Sequence, residues 1–344
     1  MTDQIWPVGP SVAVFVLGAL VIAFVGVRLA SLADRLADRT GLGEAFVGAV
    51  FLGASTSLPG IIASVTAAWN GHPSLAMSNA LGGIAVQTAF LAIADIAYRR
   101  ANLEHAAASL PNMMWGVLLV ILLGGLLLAS QAPEVTFLGV HPISPLLLIA
   151  YGYGARLVAE SREEPMWHPR RTAATRTDQP DPETVKRGSL AFLWAGFAAS
   201  ALAVSVAGWG VTRAGESLAM QTGLSQSFVG ALMVAVVTSL PELVTSVAAV
   251  RRGALTLAVG GVLGGNAFDT LFAAVADMAY PEGSIYHAMS PLEPALAALT
   301  LLMAGVLVLG LLRRERVGPG RIGLESVVVL SLYLLGAFIL GTGG

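Results

Sequence analysis

Ten apolar stretches, each near the roughly 20 residues an α-helix needs to cross a bilayer, take up most of this chain. They lie near 11–33, 43–68, 74–97, 109–130, 136–159, 189–213, 225–250, 254–279, 290–312 and 322–341. Only 12% of the residues are charged and 56% are hydrophobic, against about 25% charged in a soluble domain. That composition excludes an ordinary soluble enzyme, because too little polar surface remains to face water. The sequence predicts an all-α integral membrane protein of ten transmembrane helices, with the lipid bilayer as its solvent.

The basic residues orient the spans, since cytoplasmic loops retain Lys and Arg. With the N-terminus outside, the inside loops carry Arg28, Arg35 and Arg39, then Arg99 and Arg100, seven basic residues from Arg156 to Arg187, Arg251 and Arg252, and finally Arg313, Arg314, Arg316 and Arg321. Only Arg213 falls outside. This alternation predicts both termini outside, and the protein is expected in an inner (plasma) membrane. Residues 161–188, rich in charge and proline, read as a cytoplasmic linker between a first unit, 1–160, and a second, 189–344. The start MTDQIWPVGP lacks a basic n-region, so the first apolar run is expected to stay as a helix rather than be cleaved.

The sequence also aligns with itself, 40–98 lying on 222–280 with 28 of 59 positions identical. TGLGEAFVGA faces TGLSQSFVGA, TSLPG faces TSLPE, and AIADIAY faces AVADMAY. Five spans per copy is an odd number, so the second copy enters the membrane inverted. Inverted repeats are common in secondary transporters, whose substrate sites lie near the midplane where the copies meet.

Within each copy a proline, Pro59 or Pro241, follows Thr-Ser-Leu inside a span. Proline removes a helical hydrogen bond and clashes with the preceding turn, so helices 2 and 7 are expected to break there. Carbonyls freed at membrane depth need protein, water or an ion. The hydroxyls of Thr56, Ser57, Thr238 and Ser239 flank the breaks, and Gly82-Gly83 and Gly264-Gly265 in the following spans allow close backbone approach. Glu242 follows Pro241, and Asp269 lies in the next span. Ionisable groups at that depth are functional by default. Carboxylates, hydroxyls and carbonyls suit a hard cation such as Ca²⁺ or Na⁺, whereas zinc and copper would want His or Cys, and the chain has no Cys. The five histidines sit in loops or at helix starts and are expected to face solvent, and Asp95 and Asp277, near span ends, are expected to be solvated or to cap helices.

At these residues the chain resembles the cation/calcium exchanger superfamily, whose two α-repeats carry T-S-L-P-E followed by G-N-x-x-G-S-N-x-x-[ND]. Thr238-Ser239-Leu240-Pro241-Glu242 and the segment from Gly260 to Asp269 match closely, with Gly261 and Gly265 replacing the usual Asn and Ser. The first repeat departs, since Gly60 stands where the family has glutamate and Gln87 where it has Asn or Asp. The resemblance implies ion ligation by Thr56, Ser57, Thr238, Ser239, Glu242, Asp269 and the Gln87 amide, with the carbonyls of Gly53 and Ala235 as further candidates. Gly60 leaves the site with at most two negative charges, and the vacated volume is expected to hold Gln87 or water.

The function expected is a cation antiporter that moves Ca²⁺ against Na⁺ or H⁺ by alternating access, with spans 1 and 6 moving against the broken helices. Metal cations are its substrates, and no cofactor or nucleic acid is expected. The chain has no phosphate-binding P-loop, so ion gradients would supply the energy. Two other readings stand beside it. One is a monovalent cation/proton antiporter, favoured by the missing first-repeat acid. The other is a non-transporting scaffold or sensor of the same fold.

Overall fold

The computed structural model describes residues 5–40, 53–98, 101–163, 167, 169, 189–316 and 323–342. Nearly all of the 161–188 linker and the first part of the run predicted over 43–68 lie outside the described residues. The rest is helical: α1 (Val8–Thr40), α2 (Leu58–Trp69), α3 (Pro73–Ala97), α4 (Leu110–Gln131), α5 (Ile143–Glu163) and α6 (Leu190–Thr222). They are followed by α7 (Gln226–Thr238), α8 (Leu240–Arg252), α9 (Leu255–Ala279), α10 (Leu292–Arg313) and α11 (Leu324–Thr342). Among the described residues, seven helices are long and apolar enough to cross a membrane, or eight when the bent pair α7–α8 is taken as one. The described residues contain no β-strand, only an isolated bridge between Phe137 and Val140.

That bridge corrects one boundary. The apolar run predicted from 136 becomes helical only at Ile143, because Pro133 and Pro142 bracket a turn in which Leu138 and Gly139 take positive φ of 54° and 81°. Val135, Phe137 and Leu138 are exposed there, so their apolar character marks membrane-facing surface rather than helix.

Layering follows from how apolar each helix is all round. The central α3 has 89% of its spanning window buried, while α1 and α6 have 22% and 17%. A helix in the middle of a bundle faces only protein; one at its edge turns a broad face to lipid. Thus α1 exposes Leu17, Leu20 and Phe24, and α6 exposes Phe192, Leu202 and Val206. At 33 residues each, these two helices are about 50 Å long. They pack along one another, α6 also against α2 and α1 against α8.

Glycine makes the last two contacts possible. A Cβ on Gly26 of α1 would lie 2.5 Å from Cγ of Pro241, and one on Gly208 of α6 would lie 2.9 Å from the Pro59 carbonyl oxygen. Gly26 and Gly208 hold the same place in the two copies, as do Pro59 and Pro241. Each long outer helix therefore rests on the proline of the other copy through equivalent residues.

A second pair of equivalent contacts ties the bundle ends together. Asp95, at the end of α3, accepts hydrogen bonds from Leu103 N (2.6 Å), Gly323 N (3.1 Å) and Ser326 Oγ (2.8 Å). Asp277, at the end of α9, accepts them from Ile285 N (3.0 Å), His141 N (2.8 Å) and Ser144 Oγ (2.6 Å). Every partner in one set is the repeat equivalent of its counterpart in the other. Each aspartate therefore fixes the start of the last helix of the opposite copy, α11 or α5. Both are buried, so capping is their role and solvation is not.

The loop histidines also differ from expectation. His72, His105 and His141 are buried; for His105 and His141 the loops fold back over the bundle ends as the short helices Leu103–Ala106 and Ile285–Ala288. His105 Nδ1 lies 2.7 Å from the Arg314 carbonyl, His141 packs on Tyr286 with ring centroids 5.5 Å apart, and His72 meets Gln226 at 2.9 Å. His287 is half-buried. His168 lies outside the described residues.

Candidate ion-binding site

Thr-Ser-Leu-Pro builds the site by ending one helix and starting the next. Ser57 (φ −82°, ψ 0°) and Ser239 (φ −90°, ψ 4°) leave helical geometry at equivalent places. Proline then sits in the first turn of α2 and of α8, where no partner exists for the N–H it lacks. The axes of α7 and α8 differ by 49°. Just ahead lies a π-helical stretch, Val229–Val234, and such stretches widen a helix beside functional sites.

The bends bring side chains of both copies together. Ser57 Oγ donates to Asp269 Oδ1 at 2.6 Å, and Gln87 Nε2 donates to Asp269 Oδ2 at 2.8 Å and to Ser239 Oγ at 3.3 Å. Gln87 and Asp269 are repeat equivalents, so they meet across the pseudo-two-fold axis, and the Ser57–Asp269 contact is mirrored by Ser239–Gln87. Glu242 is buried, with Asp269 as its charged neighbour and the hydroxyls of Thr56 and Ser57 facing it. Thr238 Oγ1 reaches Asn79 Oδ1 at 3.3 Å.

The two candidate carbonyls are equivalent to one another as well. Gly53 O accepts from Ser57 N (3.0 Å) and Thr56 Oγ1 (3.0 Å), and Ala235 O from Ser239 N (3.0 Å) and Thr238 Oγ1 (3.2 Å). Each thus carries a hydroxyl that can rotate away, and that rotation would free a lone pair.

Two buried oxygens of this cluster, Glu242 Oε2 and Gln87 Oε1, have no hydrogen-bond partner among the described residues, nor does Asn266 Oδ1, one turn before Asp269 on the same helix. A buried acceptor without a donor costs about 1–3 kcal/mol, and a cation is the partner that would satisfy acceptors alone.

Two of the polar residues here, Asn79 and Asn266, were not singled out from sequence. Asn79 Nδ2 donates to Gly60 O (3.1 Å) and Ser64 Oγ (2.9 Å), and Asn266 Nδ2 donates to Thr88 Oγ1 (2.9 Å). Their repeat equivalents are Gly261 and Ile84, so the duplication hides them. The volume beside Gly60 is also not as expected. It is filled by Phe272, whose Cε2 would lie 2.5 Å from a Cβ on Gly60, and not by Gln87, which turns instead to Asp269.

The sequence matches the sodium/calcium exchanger protein family over residues 10–151 and 192–341, which takes in every residue of this cluster. The chain belongs to that family. Its members are transporters rather than enzymes, and the chain is a membrane cation antiporter. It is 27% identical over 259 residues to the inner membrane protein YrbG of Escherichia coli (strain K12), covering 75% of this chain and 76% of that protein. The fold is that of the sodium-calcium exchanger NCX_Mj, soaked with Na⁺ and Sr²⁺, with a TM-score of 0.62 at 18% identity, covering 96% of this chain and 98% of the other. It is also that of native YfkE, with a TM-score of 0.59 at 16% identity over 97% of each chain.

Proposed function

We propose that the protein exchanges Ca²⁺ for Na⁺ or H⁺ by alternating access, using no cofactor and drawing on ion gradients. Its ligands are Glu242 and Asp269, the hydroxyls of Thr56, Ser57, Thr238 and Ser239, the Gln87 amide oxygen, and the carbonyls of Gly53 and Ala235. The single observation that carries this reading is the pair of unpartnered buried oxygens, Glu242 Oε2 and Gln87 Oε1, gathered with the Asp269 carboxylate. Such a set is stable with a bound cation or proton and costly without one.

The proposed architecture is ten spans in two inverted five-helix repeats, residues 1–160 and 189–344, joined by a cytoplasmic linker at 161–188. The second and seventh spans break at Ser57 and Ser239. The pair α1 and α6 moves over the broken helices to open the site to either side in turn, in an inner (plasma) membrane with both termini outside. The equivalent Gly26–Pro241 and Gly208–Pro59 contacts support this, since a two-fold arrangement presents like surfaces to both sides.

Purified protein in liposomes, with Ca²⁺, Na⁺, K⁺ and pH gradients varied separately, tests the reading. Ca²⁺ uptake against an opposing Na⁺ or H⁺ gradient is expected. Glu242→Gln and Asp269→Asn should each reduce it to the level of protein-free vesicles while leaving folded protein, since both changes remove charge without opening a cavity. Wild-type flux in both variants would sink the site assignment.

A further inference from the structure

The two halves of the site are unlike in one respect that the repeat makes plain. Both carboxylates come from the second copy, and the equivalent of Glu242 is Gly60. Opposite Gly60 the Phe272 ring edge leaves no room: a Cβ would meet Cε2 at 2.5 Å and Cζ at 3.1 Å. Phe272 is itself held in place. It is buried and stacks edge-on against Phe268 at 6.5 Å, which stacks edge-on against Tyr151 at 5.6 Å. Phe268 also lies 3.7 Å from the Cβ position of Gly53. An aromatic ladder thus walls the broken helix of the first copy from Gly53 to Gly60; the repeat equivalent of Phe272 is Phe90, whereas that of Phe268 is Val86.

We propose that the missing first-copy acid sets the coupling ratio: with Gly60 at that place, and Phe272 packed where its side chain would go, the site holds two negative charges, so that exchange is electroneutral. This rests on the antiporter reading and deepens it. Net charge in a low-dielectric site is costly, so the occluded states that form readily are those in which the cargo cancels the site. With Glu242 and Asp269 ionised, one divalent cation brings the sum to zero. Two monovalent cations, two protons, or one of each do the same. Every return path balances one divalent cation with two monovalent charges, and no net charge crosses the membrane per cycle. A third carboxylate would shift the balance, leaving the divalent state at minus one and moving charge when three monovalent ions return.

The test is Ca²⁺ flux in liposomes with the membrane potential clamped by K⁺ and valinomycin. Moving one elementary charge through 100 mV changes the energy by about 2.3 kcal/mol, a ceiling of roughly fifty-fold on the flux ratio. Wild type should give the same flux at zero and at about 100 mV of either sign. In the double variant Gly60→Glu with Phe272→Ala, flux should become potential-dependent, whereas Gly60→Glu alone should transport poorly because its side chain meets the ring. Potential-dependent flux in wild type would overturn the proposal, and so would a potential-insensitive double variant that still transports.

A second measurement, independent of transport, checks the wedge. Gly60→Ala should lower the melting temperature in the wild-type background and lower it much less with Phe272→Ala, and equal drops in the two backgrounds would show that the ring does not fill the site. No wild-type flux under any gradient would refute the antiporter reading itself, and with it the coupling ratio. The melting comparison would then decide the wedge alone.

Discussion

Glu104 is where one residue breaks the symmetry of the bundle ends. Its repeat equivalent is Tyr286, whose hydroxyl lies 2.9 Å from Ser144 Oγ, and Glu104 Oε1 accepts from the equivalent Ser326 Oγ at 3.2 Å. A neutral phenol beside Asp277 has become a carboxyl beside Asp95, and its Oε2 is buried without a hydrogen-bond partner among the described residues. Burial first, then the charges of Asp95 and Glu325, push its pKa up to about 7 from 4.5. A positive charge acts on its neighbour, Arg313 Nη1 lying 3.5 Å from Glu325. A raised folded-state pKa means that the folded protein binds the proton more tightly than the unfolded chain. The stabilisation is full below pH 4.5 and is lost as pH rises to about 7, by up to about 3 kcal/mol at the limit. Glu104→Gln should remove that slope. Unfolding followed in detergent from about pH 4.5 to about pH 8 should show the variant gaining on wild type as pH rises, and parallel curves would mean that Glu104 keeps its charge. Sequence could not reveal this residue, because its burial comes from a four-residue helix too short to leave a periodic signal. Glu242 and Asp269 were legible for the opposite reason, as carboxylates inside long apolar runs have few bland explanations.

Among the elements, the contacts of α1 and α6 with the prolines demand glycine most strictly. Adding side-chain volume at Gly26 or Gly208 would push a 33-residue helix off the break it covers, at roughly 1–3 kcal/mol for the overpacking. Gly26→Val and Gly208→Val should each slow exchange strongly while leaving equilibrium ion binding near wild type, since neither residue is a proposed ligand. Gly9→Val is the control on the same helix, because nothing lies within 4 Å of its Cβ position. If all three variants transport alike, the proline contacts carry no motion. Helices were legible wherever long apolar runs ended at proline, glycine or charge. Gly223 and Gly253, at φ 73° and 82°, end α6 and α8 as left-handed caps. Residues 136–142 look helical in sequence because membrane proteins place apolar side chains on exposed loops as readily as on helices, so hydropathy alone does not find the start of α5. The bend between α7 and α8 is readable only as a break, because proline fixes where a helix restarts but packing fixes its new direction.

For the whole molecule, charge carries the orientation and the repeat carries the fold. The lone basic residue assigned outside, Arg213, lies 2.8 Å from Glu216 Oε2, and Asn70 Nδ2 donates to both Glu216 oxygens at 3.0 and 3.2 Å. That arginine is already neutralised within the bundle, so it adds little to the field that retains basic loops inside. The remaining basic residues keep their full weight in support of the proposed topology. In the proposed orientation the cluster of Asp95, Glu104 and Glu325 would face the cytoplasm and its counterpart of Asp277 and Tyr286 the outside, so Glu104 would meet cytoplasmic pH. Because the chain has no cysteine, single cysteines introduced one at a time report the topology cleanly. A cysteine in 161–188 should resist a membrane-impermeant maleimide in sealed cells and react after permeabilisation. One at Gln221, exposed in the last turn of α6, should react in both. Labelling of the linker from outside would invert the molecule, and would assign Glu104 to external rather than cytoplasmic protons.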